Sequence, residues 1–197
     1  MVISGKVMSG SVHTEHAAAG GNHPAMVVPA SLKADDGVYP FGLILTRASG
    51  VFSPLLEVSA ESIGTGDNSA TEFSSTLAEG PVHPRSVVVS DGVETLADDG
   101  HGKLWGDSGG SGTINYGTGE IQVAFNAAPA TDADVAADYV TSVDGVLDAN
   151  ADTSREGGMV VIHGPVHSSA LKVGATAQAV PSSAILNHLA NAGIYAL

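Results

Sequence analysis

The sequence predicts a mainly β protein: a compact, barrel-like β core with one short C-terminal helix, an inserted small β-sandwich module and a flexible N-terminal arm. Three observations lead there. Short apolar runs are cut every few positions by Gly, Pro, Asn or Asp, the pattern of many short strands. Gly112 to Phe125 sets Ile114 and Tyr116 before a Gly117-Thr118-Gly119 turn and Ile121, Val123 and Phe125 after it, which reads as a β-hairpin with one buried face. Only the segment from Pro181 to Gly193 has helical spacing.

Residues 1–23 are small and polar, with Gly20-Gly21 ahead of His23-Pro24, and predict the arm. Within it Val2, Ile3 and Val7 are able to form a strand if an edge is offered. Ala25 to Val28 is a short apolar run that Pro29 is expected to end. Asp36-Gly37 marks a turn, Val38 to Leu45 a second apolar run, and Val51 to Val58 a third. Ala60 to Ala70 has the make-up of a linker.

A different module follows over 60–141. Thr71 to Leu77 and Val87 to Val89 read as strands, Ser90-Asp91-Gly92 as a turn, and Val93 to Leu96 leads through Asp98-Asp99-Gly100 to Lys103-Leu104-Trp105 and the hairpin. Val135 to Val140 closes the module. Trp105 reads as module core or as a contact anchor, and core is the expectation. The final segment, 142–197, completes the core begun at 24–59. Gly158 to Gly164 is apolar enough for burial on both faces, and Val166, Leu171 and Val173 extend it. Ser182 or Ser183 is the expected N-cap of the helix, with Ile185 and Leu189 on one face and Gly193 at its end. Ile194 to Leu197 is a last strand.

Composition narrows the function classes. At 197 residues the chain is able to bury about 70% of its unfolded surface without metals or disulfides. With no cysteine there are no disulfides, thiolate metal sites or thiol nucleophiles. The start of the chain lacks a continuous apolar stretch of the kind secretory signals need, and no apolar run approaches membrane-span length, so a soluble chain with no membrane partner is expected. Seven Lys plus Arg against 21 Asp plus Glu, a formal charge of −14, disfavour nucleic acid as a partner.

Gly106-Asp107-Ser108-Gly109-Gly110 resembles the nucleophile loop of chymotrypsin-like serine proteases. That chemistry needs a His to take the serine proton and an Asp to orient the His. His13 and His16 lie too near the start to end a strand, His83 and His101 sit among turn residues, and Ser108 falls near mid-chain rather than late. The loop is therefore expected to be a small-residue connection into the hairpin, and no catalytic residue is assigned. Asp148, Asn150 and Asp152 open like an EF-hand loop, but Thr153 stands where Gly belongs and Met159 where Glu belongs, so an Asx-rich turn is expected. Asp91, Asp98, Asp99 and Asp107 form a second acidic group that reads as solvated turns. His163 and His167 lack an evident third metal ligand and are expected to face solvent or a neighbour. No metal and no cofactor are predicted.

HPAMVV with GVYPFGLIL near the start, and DGVLDANADTS, GGMVVIHGPVHSSALKV and LNHLANAGIYAL at the end, resemble the head decoration proteins of tailed bacteriophages of the lambda type. The resemblance covers roughly 24–58 and 143–197. The stretch 60–141 is absent from the small lambda-type proteins and is itself similar to modules in other phage structural proteins, through PVHPRSVVV, DDGHGKLWG and the hairpin sequence. The resemblance implies a β-tulip or barrel-like core and a non-enzymatic cementing protein on the capsid exterior. It further implies trimers at three-fold sites that bridge major capsid protein subunits. It also implies an arm that adds a strand to a capsid-protein edge, with Val2, Ile3, Lys6, Val7 and Val12 as the capsid-binding residues. A tail, spike or baseplate component is the alternative. A serine hydrolase or carbohydrate-binding module is the last, separable by a serine-directed phosphonate or a glycan array.

Overall fold

Val160 and Val161, neighbours on one strand, are both fully buried and pack in different apolar clusters, so both faces of that strand are covered. The computed structural model describes residues 24–155 and 157–197, and the protein is mainly β, with one α-helix near its C-terminus.

Four strands come first: β1 (Met26–Leu32), β2 (Val38–Tyr39), β3 (Ile44–Ala48) and β4 (Val51–Pro54). Eight more follow in the inserted stretch. They are β5 (Glu57–Thr65), β6 (Glu72–Thr76), β7 (Val88–Ser90), β8 (Thr95–Asp98), β9 (Lys103–Gly106), β10 (Ser111–Ile114), β11 (Glu120–Ala124) and β12 (Asp134–Val140). The chain ends with β13 (Gly145–Leu147), β14 (Ala151–Asp152), β15 (Gly158–Val166), α1 (Ser183–Asn191) and β16 (Ile194–Ala196).

The flanking segments build one sheet in the order β1-β4-β3-β13-β15-β16, and β1 also pairs with β15, so five of its strands form a ring. β1 makes this possible by changing partners. Its first part runs antiparallel to β15 (Met26 opposite His163 through Ala30 opposite Gly158), and its end runs parallel to β4 at Ser31 and Leu32. Pro29 does not end this strand as expected; it stands exposed within β1, opposite Met159, near the point where the partner changes. Alternation then sorts the core. Ile44, Val146 and Val161 join Ile185 and Leu189 of α1 in one cluster, while Leu43, Leu45, Leu147 and Val160 join Tyr39 and Phe52 in the other. The Ser182 hydroxyl caps α1 by accepting from the Ile185 N–H, and Gly193, at φ 82°, ends it and turns the chain into β16.

The inserted stretch is a single eight-stranded sheet, β5-β12-β7-β8-β9-β10-β11-β6, rather than two stacked ones. It rolls up around one core that includes Leu96, Leu104, Ile114, Ile121, Val123, Val135 and Tyr139. Its first and last strands are brought together by Glu61 on β5. That carboxylate accepts from the Tyr139 hydroxyl at 2.5 Å and from the Ala78 N–H, just beyond β6, at 2.8 Å. The expected linker at Ala60 to Ala70 is therefore corrected: β5 runs through Thr65, with Ile63 in the core. Polar composition concealed it because β5 is bulged. Its register against β12 shifts twice, and Ala60 takes a left-handed φ of 54° with its N–H donating to Asp138.

Two connections join the parts, and they lie side by side. The Leu56 N–H donates to Thr141 Oγ1, and the Thr141 N–H donates to the Leu56 carbonyl, both at 3.0 Å.

Candidate functional site

The GDSGG loop connects β9 to β10, and its glycines serve a buried carboxylate. Glu94 is 4% exposed; its Oε1 accepts from the Gly110 N–H at 2.6 Å and its Oε2 from the Asn126 N–H at 2.8 Å. A Cβ on Gly106 or Gly110 would collide with that carboxylate. The Ser108 hydroxyl donates to Asp107 at 3.1 Å. The two histidines named as triad candidates within the described residues are engaged elsewhere: His83 stacks on His188, and His101 lies beside Asp99. His13 and His16 lie outside the described residues. The loop thus holds a turn around Glu94, and the string that resembles a nucleophile loop has this packing as its physical cause.

The acidic loops are local turns. Asp91 accepts from the N–H groups of Val93 and Glu94, and Asp99 from those of His101 and Lys103. The His101 N–H is the main reason the Asp99 carboxyl lies below its ordinary range. Asp107 accepts from the Thr95 N–H. Asp98 accepts from Gly100, from Arg85 and from the Tyr116 hydroxyl, and burial together with that last bond pushes Tyr116 up to about 12. In the stretch that opens like an EF-hand, Asp148 is wholly buried, Asn150 accepts from the Phe41 N–H, and Asp152 accepts from Ser154. Among the described residues no group of three or more His, Asp or Glu gathers to hold a metal. His163 and His167 are both exposed, and His163 lies edge-on to Tyr195. The candidate capsid-binding residues Val2, Ile3, Lys6, Val7 and Val12 lie outside the described residues.

Trp105 corrects the expectation that it belongs to the module core: it is 60% exposed. Parity is the reason. Leu104 is buried and sits opposite Gly112, so its neighbours Lys103 and Trp105 must point outward.

Strand register extends this outward face across four strands. Trp105 stands beside Ser111, Ser111 beside Ala124, and Ala124 beside Glu72. In the next row Lys103, Thr113, Gln122 and Ser74 are aligned in the same way. The small residues between Trp105 and Glu72 leave a depression of about 570 Å³, within the range of ligand sites. A second depression of about 610 Å³ shares Ser74, Thr113 and Gln122 with it and continues toward Asn115 and Glu120. The polar residues of this face escaped sequence reasoning, although a signal was present: the alternation that marks Ile121 and Val123 as core marks Gln122 as outward.

Among the described residues no helix is long and apolar enough to cross a membrane. Comparison with protein-family models, with curated proteins and with solved structures finds no match to this chain.

Proposed function

We propose that this chain is a non-enzymatic capsid decoration protein. In this reading it cements the outside of a mature phage head at three-fold sites, as a homotrimer bound to the major capsid protein. The observation that carries the reading is the side-by-side pair of connections at Leu56 and Thr141. An eight-stranded module attached through adjacent strands leaves the ring of β1, β4, β3, β13 and β15 complete as a mount. Residues 1–23 lead directly into β1 of that ring, where the resemblance places the capsid-binding arm. Strand addition by the arm, repeated over a lattice, would give high avidity from a short segment. The charge of −14 favours no contact with the packaged nucleic acid.

The test is the amount of this protein in purified virions relative to the major capsid protein, with binding of the chain lacking residues 2–20 to undecorated heads. Near-equal amounts, and loss of binding on deletion, are expected. A few copies per particle would move the protein to the tail, spike or baseplate, and absence from virions would reject the reading.

A further inference from the structure

We propose that the outward face of β9, β10, β11 and β6 is a binding site for a neutral glycan chain, with Trp105 as its stacking platform. Its geometry matches the chemistry of a sugar on three counts. A pyranose ring has an apolar C–H face and a rim of hydroxyls, so it needs a flat apolar surface beside an array of donors and acceptors. Trp105 supplies the surface: its indole is 60% exposed on the outward side of the sheet. Gln122, Thr113, Ser74 and Lys103 supply amide, hydroxyl and ammonium groups in one transverse row. Register places Glu72 three strands from Trp105, about 14 Å away at the usual strand spacing. With the adjoining depression, the trough is long enough for several sugar units rather than one small molecule.

Other ligand classes fit less well. Glu72 and Glu120 outnumber Lys103 on the trough, and the whole chain is strongly acidic, so an anionic chain is repelled. β9, β10 and β11 are paired on both sides, so the part of the face around Trp105 offers side chains and not the free backbone groups that an added peptide strand requires. Glycan binding by this face is independent of whether the barrel unit mounts on a capsid.

Trp105 is the only tryptophan in the chain, so its emission reports this site alone. The full chain is titrated with neutral hexasaccharides of glucose, N-acetylglucosamine, mannose, galactose and rhamnose, and binding is measured in parallel by calorimetry. A saturable change in emission with at least one of them is expected, with Kd below about 1 mM. By calorimetry Trp105→Ala should weaken binding roughly tenfold or more and Gln122→Ala roughly threefold, with Trp105→Phe retaining most of it and thermal stability unchanged in all three. No response to any of the five up to about 10 mM would overturn the proposal. So would binding that Trp105→Ala leaves intact, or a Trp105 response confined to acidic glycans or to a protein partner.

Discussion

The imidazole rings of His83 and His188 stack with centroids 3.8 Å apart and planes tilted by 39°. His83 belongs to the loop between β6 and β7, and His188 to α1, so this pair ties the inserted module to the helix of the barrel unit. Backbone bonds hold the loop in position: the His83 N–H donates to the Val140 carbonyl at 2.8 Å, and the Ser142 N–H to that of Pro81 at 2.7 Å.

The stack makes stability depend on pH. Burial lowers both histidines, and the neighbouring His83 lowers His188 further, from 6.5 to about 4. The Pro84 carbonyl and the charges of Asp144 and Asp98 oppose the shift at His83. As pH falls from 6.5 toward 4, the unfolded chain takes up protons that the folded pair resists. This stability is therefore complete above the unfolded value and is lost as pH falls through that window. Melting temperature measured from about pH 8 to about pH 4 should drop over this interval, and His188→Gln should flatten the drop. An unchanged profile in the variant would assign the drop to carboxylates instead.

Glu94 and Ser108 should behave in opposite ways. Glu94→Ala strands the buried N–H of Gly110 and removes the acceptor of the Asn126 N–H, and should cost about 1–3 kcal/mol in denaturant unfolding. Ser108→Ala removes an exposed hydroxyl and should change stability by less than about 0.5 kcal/mol. Comparable losses in the two variants would contradict the role given to the loop.

Gly42 tests the packing against the short segment that follows β15 in the barrel unit. It has a φ of 78°, and a Cβ there would overlap the Ala170 carbonyl oxygen. Gly42→Ala should destabilise by more than about 3 kcal/mol, because strain and backbone displacement add.

Closure of the eight-stranded sheet rests partly on Glu61. Tyr139→Phe removes the hydroxyl that donates to Glu61 and accepts from the Glu79 N–H at 3.0 Å. A loss of about 1–3 kcal/mol is expected, with faster amide exchange along β5 and β6. Exchange that speeds up equally in all strands would argue against a local closure.

Much of the fold is legible in the sequence because strand alternation is a property of the local backbone. Ile121, Val123 and Phe125 could be assigned to a core without knowing what they meet, and Ser182 and Gly193 bracket α1 by capping chemistry confined to one turn. The part of β5 beyond Val58 is illegible for a matching reason: its bulge breaks the alternation, and only pairing with β12 makes it a strand.

The candidate site was less legible. Residue type alone leaves Trp105 as core or contact anchor and favours core, whereas its direction follows from the pairing of Leu104 with Gly112. The GDSGG string carries the composition of a nucleophile loop, and only the position of Glu94 explains Gly106 and Gly110.

By itself the sequence determined the β class, the single helix, the hairpin and buried positions such as Ile121, Val123, Ile185 and Leu189, since each depends on neighbours a few residues away. The tertiary structure alone decided the double pairing of β1 that closes the ring, the rolling of eight strands into one sheet, the outward trough beside Trp105 and the His83–His188 stack. Each of these joins residues distant along the chain, and their meeting depends on long-range register and packing that no local pattern encodes.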